Sequence, residues 1–515
     1  MTYAIPAIDY EPVAIEHAPQ ELVFVPRSRR QWIPFLLPLA LCSVSYLGGG
    51  LPLLTDLGFT IFTILMAIFL TVEFYHFPRR FGIGGLLLWG GSLAWFCQDY
   101  FTHWYQHDYS NSPIDMPAWV VAKAATLHVL FIMLMSISLN WNTGKWLEKM
   151  LLIVPDPENE SFYLFIILLL FCCTICPYVL FNAEPWYLCM YHALFGSFTG
   201  QGPLMTVYRD GNLNYSWGAY VAQIMQVGET GGILAVIYAI LIATSWPKRL
   251  LGISIWLFNA EVAFQSGRRG NIAFEFLPVI SVLFIKYQAQ AASLFRRFSF
   301  KAYLVCGILT VFMQFVVQFE GTFRAVGYAN ADISQLDITK NQGNTMFSEG
   351  LAAFATIPDP VPYFYGGDFP LEGALRAMPQ TAFDCVIGII PRALWNNKPI
   401  DPLWAWYNRF YTGIGNGVVG TTISHGLVGC WYFKFGPVGM MEGALLVGWL
   451  IGTSERALQH SEGKPISIMV AMGFATWLFR DFRDFIFIDL YGLVLGVIAI
   501  YIIVRLTRPF LGRSA

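Results

Sequence analysis

The chain has 515 residues, of which 56% are hydrophobic and 12% charged, about half the roughly 25% charged content of a soluble globular protein. Its formal net charge is -2, which leaves no basic field for nucleic acid. A soluble enzyme, a disordered regulator and a fibrous protein are excluded, and the composition is that of a polytopic, all-α membrane protein.

Some thirty polar residues come first, with Arg27, Arg29 and Arg30 just before the first apolar run. A cleavable signal peptide has a short, terminal charged region instead, so residues 1–31 read as a cytoplasmic tail. Apolar runs of about 17–25 residues predict spans over 32–54, 57–77, 81–101, 117–139, 162–182, 217–245, 250–266, 271–287, 302–319, 428–453, 466–482 and 485–504. Gly48-Gly49-Gly50 interrupts the first. Twelve spans place both termini on one side. Residues 320–427 form a large outer loop between the ninth and tenth spans, and 505–515 a second cytoplasmic tail.

The basic residues support this orientation. With the N-terminus inside, the short inner segments carry Arg79 and Arg80, Lys145 and Lys149, Lys248 and Arg249, Arg296 and Arg297, Arg456 and Lys464, and Arg505 and Arg508. Long outer loops are largely exempt from the positive-inside rule. Trp32, Trp119, Trp217 and Trp246 mark span ends, as an aromatic belt does.

The outer loop is too long for a mere connector, and a second outer segment runs 183–215. The inner loops leave no room for a cytosolic nucleotide-binding domain. There is no Walker motif, no GxGxxG fingerprint opening a βαβ unit, no HExxH and no Asp-x-Asp motif. Chemistry therefore belongs to the outer face or the membrane. The absence of an internal repeat weakens the case for a transporter built from duplicated halves. The nine cysteines lie mostly in apolar stretches. CCTIC (172–176) admits a metal reading, but buried free cysteine behaves as a small hydrophobe, so no metal is expected. His103, His107 and His192 lack ligand spacing near a carboxylate pair.

The informative residues are cations that break the charge rule on short outer loops. Arg268 and Arg269 sit in the turn SGRRGN. Arg480 and Arg483 sit in LFRDFRDFIF between the last two spans. An arginine at membrane depth costs about 3 kcal/mol by insertion scales and is kept for a partner. If helical, Arg480 and Arg483 share a face and Asp484 can pair with Arg480. The cluster is then either a structural ion-pair network or an anion site, since guanidinium matches phosphate oxygens. Arg268 and Arg269 either snorkel to the interface or, between Gly267 and Gly270, line a close backbone approach. In IIPRALWNNKPIDPLW (389–404), Arg392 and Trp395 share a face and Lys398 adds a cation. That segment holds a headgroup or sugar, or anchors the loop to the surface.

Glu349, Asp384, Asp401 and His425 are candidate bases in the same outer segment. Glu261, Glu275, Glu442 and Asp489 are intramembrane carboxylates that balance the arginines or relay protons.

Several of these elements resemble the bacterial O-antigen polymerases, the Wzy-type oligosaccharide repeat-unit polymerases. SGRRGNIAFEFLP is similar to that family's Gly-x-Arg-Gly element. IPRALWNNKP resembles its Ile-Pro-Arg-x-Leu-Trp-Pro-x-Lys-Pro element, with Asn396-Asn397 where Pro is more usual. YFYGGDFPLEGAL, YFKFGPVG and LFRDFRD resemble the flanking elements, in order, over residues 255–505. Many members carry a carboxylate just before the Phe-Gly entry, where this chain has Gly429-Cys430-Trp431.

The resemblance implies a GT-C-like membrane glycosyltransferase with its large loop in the periplasm. A growing glycan on undecaprenyl diphosphate would be the donor and a single lipid-linked repeat unit the acceptor. Arg268, Arg269, Arg392, Arg480 and Arg483, with Lys398 behind them, would stabilise the diphosphate leaving group. His425, Glu349 and Asp384 are the bases to consider for the acceptor hydroxyl. No cofactor is implied. A chain-length regulator and a flippase are implied as partners. An O-antigen ligase needs the same diphosphate site and is the alternative, followed by a transporter of lipid-linked sugars and a non-catalytic scaffold.

Overall fold

The computed structural model describes residues 28, 30–80, 83–101, 117–154, 156–157, 159–182, 218–265, 269–286, 354, 361–362, 368–369, 426–461, 464–480, 482 and 488–511. These residues form an all-α structure, apart from a two-residue antiparallel pair, Val361–Pro362 with Asp368–Phe369. A 3-10 turn, Ile33–Phe35, leads into α1 (Leu36–Leu47). Then follow α2 (Pro52–Arg80), α3 (Ile83–Ser92), α4 (Ala118–Ser138), α5 (Lys145–Leu151), α6 (Glu160–Asn182) and α7 (Gly218–Leu241). The remainder are α8 (Trp246–Gln265), α9 (Arg269–Lys286), α10 (Gly426–Gln459), α11 (Pro465–Arg480) and α12 (Ile488–Leu511).

The long helices fall on the apolar runs. The run 302–319 and nearly all of 320–427 lie outside the described residues. The first run departs from expectation. Gly49 and Gly50 take φ of 82° and 90°, a left-handed backbone that ends a helix, so α1 stops at Leu47 and Pro52 opens α2 at a position suited to proline. The other departure is α5, a short helix in the connector between α4 and α6.

Among the described residues two helical stretches are long and apolar enough to cross a membrane, Pro52–His76 with mean hydropathy 2.1 and Ala118–Ser138 with 2.0. The first is 28% buried and the second 72%, which places α2 at the periphery and α4 inside. Leu53, Leu57, Ile64 and Ile68 are exposed along α2. Ile33–Leu47, Glu160–Ile175, Val227–Leu241, Pro465–Phe479 and Gly492–Thr507 are shorter apolar helices.

Successive helices run antiparallel, so their ends sort into two sets. At one end, polar contacts lace the bundle. Glu160 accepts from Lys248 Nζ (2.8 Å), Thr244 N (3.1 Å) and Oγ1 (3.0 Å), and Tyr238 OH (2.9 Å), tying α6 to the α7–α8 turn. Asp156 accepts from Ile466 N at 2.7 Å and Tyr163 OH at 2.7 Å, capping the start of α11, where backbone N–H groups lack helical partners. Glu148 on α5 meets Arg456 Nε at 3.6 Å and His460 Nδ1 at 2.6 Å on α10. Gly84 N–H donates to Glu455 Oε2 at 2.6 Å.

Inside the bundle, close approach depends on glycine. α10 crosses α4 where a Cβ on Gly448 would lie 2.3 Å from the Met135 carbonyl oxygen, and one on Gly452 would lie 2.2 Å from that of Leu139. This is the small-xxx-small pattern of packed membrane helices. α7 touches α6, α8, α9, α11 and α12, and its Gly228 and Gly232 face Thr174 and Asn259. Those two side chains share a buried hydrogen bond of 2.9 Å.

Gly452→Leu should therefore destabilise the protein by about 1–3 kcal/mol, the usual cost of overpacking. Gly90→Ala, whose Cβ meets only Leu70 at 3.8 Å, should leave the thermal midpoint in detergent level or slightly raised; equal midpoints for the two variants would contradict the crossing. A second prediction concerns pH. The Lys248 hydrogen bond, helped by Thr244 and Tyr238, holds the Glu160 carboxyl down to about 2 against burial, from an ordinary 4.5. A depressed folded-state value means that the contact stabilises fully above 4.5 and is lost as pH falls to about 2. The midpoint gap between wild type and Glu160→Gln should be open at neutral pH and close across that window.

Candidate functional site

The cationic turns predicted from sequence map to the end of the bundle opposite the laced one. Arg269 is the first residue of α9 and Arg480 the last of α11. These two helices pack side by side and run antiparallel, so the two positions belong to the same end. The structure describes both at the backbone. Arg268, Arg392, Lys398, Arg483, Glu349, Asp384, Asp401 and His425 lie outside the described residues, as do His103, His107 and His192.

One backbone contact draws separate motifs together. Leu427 N–H donates to the Phe482 carbonyl at 3.0 Å. Leu427 is two residues beyond His425, and Phe482 stands between Arg480 and Arg483. The α10 entry and the last cationic turn are thus neighbours, although 55 residues of chain separate them.

Phe482 is fully buried and closes onto α3. Its ring lies over Gly91, where a Cβ would sit at 3.3 Å, and 6.0 Å from the ring of Phe96. Phe96 belongs to a π-type turn, Leu93–Cys97, that interrupts α3; such turns appear often at functional sites. Phe96 meets the His128 ring edge-on at 4.8 Å, and His128 meets Phe354 at 5.8 Å. His128 is buried, with Nδ1 2.8 Å from the Ala124 carbonyl oxygen.

Phe354, from the long segment after the ninth predicted span, is fully buried. Its ring packs on Tyr432 of α10 at 5.2 Å. Lys123 of α4 donates from Nζ to the Phe354 carbonyl at 3.1 Å. The same ammonium lies 4.9 Å from the Tyr432 ring centroid and 6.0 Å from that of Trp119, within cation–π range.

α10 is broken below this point. Gly436 takes φ 68° and ψ -171°, and Pro437 follows. Proline cannot donate to the carbonyl one turn back, so the first ten residues of α10 form a separate half-helix. Trp431 in that half lies on Gly443 in the other, where a Cβ would meet its ring at 2.3 Å.

The carboxylates of the predicted spans take different surroundings. Glu275 is buried, and among the described residues neither of its carboxylate oxygens has a hydrogen-bond partner. Glu442 is exposed. Among the described residues no group of three or more His, Cys, Asp or Glu is placed to hold a metal ion, and the Cys173 thiol donates to the Leu169 carbonyl at 3.6 Å.

Sequence reasoning missed Lys123 and His128. The signal was present, since Lys123 is a lone cation in the apolar run AWVVAKAATLHVLFIMLM. It stands within a helix, whereas the other misplaced cations stand in turns. No protein-family model matches this chain, and neither a curated protein nor a solved structure matches it.

The Leu427–Phe482 contact can be checked directly. With the native cysteines replaced by serine, Leu427→Cys paired with Phe482→Cys should react with a short bis-thiol reagent to give an internal cross-link seen by mass spectrometry. Leu427→Cys paired with Cys at Gly90 should give none. Failure of the first pair with both thiols labelled singly would dissolve the junction.

Proposed function

We propose that this chain is a polytopic, GT-C-like glycosyltransferase of the bacterial inner membrane. It polymerises lipid-linked repeat units at the periplasmic face, transferring a growing glycan from undecaprenyl diphosphate onto a new lipid-linked unit. In this reading the twelve apolar runs span the membrane, both termini are cytoplasmic, and residues 320–427 are the periplasmic loop.

The observation that carries the proposal is the meeting, at one end of the bundle, of the helix ends bearing Arg269 and Arg480 with the entry to α10 through Leu427 and Phe482. Three motifs that resemble the polymerase family come from distant parts of the chain and share that end. The exposed leucines and isoleucines of α2 support a lipid-facing surface, since large exposed apolar stripes mark membrane or partner contact. The acidic and basic pairs at the opposite end suit the cytoplasmic side, where the positive-inside rule places Lys145, Lys248 and Arg456.

The chemistry follows from charge. Breaking the bond between the anomeric carbon and the donor diphosphate leaves negative charge on phosphate oxygen, while the acceptor hydroxyl loses a proton. Fixed guanidinium groups in a site of low dielectric stabilise the developing charge more than the ground state. Arg268, Arg269, Arg392, Arg480 and Arg483 supply them, with Lys398 behind. His425, which directly precedes α10, is the first candidate base, with Glu349 and Asp384 next.

Purified protein given a synthetic undecaprenyl-diphosphate repeat unit should yield a ladder of lipid-linked oligomers. Arg269→Ala, Arg392→Ala and Arg480→Ala should each slow the ladder by about 100-fold or more, as loss of a transition-state charge partner does, with thermal midpoints retained. Excess chelator should leave the ladder intact. Transfer to added lipid A core without a ladder would make the chain a ligase; passage of the unit across a proteoliposome bilayer without either product would make it a transporter.

A further inference from the structure

We infer that Lys123 is a phosphate-binding cation, its ammonium taking a phosphoryl oxygen of a lipid-linked ligand between α4 and the first half of α10. The inference rests on the proposed function for the identity of the ligand, and on the local geometry for the binding group.

Lys123 stands in the second turn of α4, at the end of the bundle that also carries Arg269 and Arg480. A lysine inside an apolar helix is costly to retain and marks an ion or substrate path when no acid pairs with it. Among the described residues no carboxylate lies within ion-pair distance of Lys123. Its neutralisation is partial: the Phe354 carbonyl accepts one N–H at 3.1 Å, and the faces of Tyr432 and Trp119 lie at 4.9 and 6.0 Å from Nζ. An ammonium has three donors, so two remain for a ligand. The aromatic faces steady the positive charge without cancelling it. That combination, a held cation with donors to spare and no fixed anion among the described residues, is what an incoming phosphate needs.

The placement suits this end of the molecule in another way. From Lys123 a continuous line of ring contacts runs through Phe354, His128 and Phe96 to Phe482, the residue between Arg480 and Arg483. The lysine and the cationic turn are therefore two points on one packed wall. The break at Gly436–Pro437 lies four residues beyond Tyr432 on the same half-helix.

The test uses full-length protein in maltoside detergent, which carries no phosphate. An amine-acetylating reagent is applied to the wild type, and the labelling rate of Lys123 is read by mass spectrometry. The probes are undecaprenyl diphosphate without sugar, uncharged undecaprenol, and phosphatidylglycerol. Protection of Lys123 by undecaprenyl diphosphate and none by undecaprenol is the expected result. Protection by phosphatidylglycerol alone would keep the phosphate site and assign it to a lipid headgroup. In parallel, Lys123→Met should weaken binding of undecaprenyl diphosphate by about tenfold, the loss of one charged hydrogen bond, and Lys123→Arg should retain it. No protection by either phosphate lipid, or Lys123→Met binding as wild type, would overturn the inference and leave Lys123 an anchor for Phe354 alone. Because the labelling needs no variant, a folding defect cannot mask the answer. Because it needs no sugar and no turnover, protection without an oligomer ladder would sink the polymerase reading and leave the Lys123 site standing.

Discussion

The backbone crossing of α10 on α4 sets the geometry of everything built at the far end of the bundle. At Gly448 and Gly452 the two helices approach until carbonyl oxygens of α4 occupy the space a side chain would take. Contact this close gives tight van der Waals packing between the two backbones, which supplies the attraction at the crossing. That crossing aligns α4 with the lower part of α10. Beyond Gly436 the upper half of α10 turns away on its own axis, and this brings Tyr432 over Lys123 and Leu427 to Phe482. A helix continued straight through 436 would direct its entry elsewhere.

The two ends of the bundle are built from different materials. One is held by carboxylates that each collect several donors: Glu160 takes four, and Asp156 takes backbone and hydroxyl groups together. Such charged hydrogen bonds are strong and geometrically demanding. Among the described residues the other end is joined mainly by rings, with the Lys123 cation, the Leu427–Phe482 backbone bond and hydroxyl contacts such as Tyr100 with Asp56 and Ser45 with Thr55. Ring contacts are uncharged and add about 1 kcal/mol each beyond their area burial. The asymmetry sets an end of charged, directional bonds against an end built mainly from ring packing.

How much of this the sequence disclosed depended on the range of the interaction. Helix positions were legible because each is a continuous apolar run, and the run itself is the cause of the helix. Gly48-Gly49-Gly50 flagged a break, though the run length still suggested one span through 54. The stapled end was half legible. Its basic residues stood out by the positive-inside rule, while Glu148, Asp156 and Glu160 did not, since their partners lie between 7 and 312 positions away and no local spacing announces them. Lys123 broke the same rule as the arginines but stood inside a helix instead of a turn. His128 and Phe354 acquire meaning only through each other. The arginines stood out as cations against the charge rule and the candidate bases as titratable residues of the outer segment, their roles came from motif resemblance, and their side-chain placement is not among the described residues.

The π-type turn in α3 has a consequence for alignment along that helix. An α-helix advances about 100° per residue, and a wide turn absorbs one residue more than a regular one. Residues 98–101 are therefore rotated by roughly one residue's step from where an unbroken helix would point them. Tyr100 uses that rotation: its ring stacks 4.2 Å from Phe59 of α2, and its hydroxyl donates to Asp56. Deleting a single residue between 93 and 97 would restore regular pitch and leave Tyr100 facing α2, whereas tightening the turn at full length would swing it away. The turn is a phase shifter: it takes up one residue of length, without any change of chemistry, so that Tyr100 keeps its neighbour.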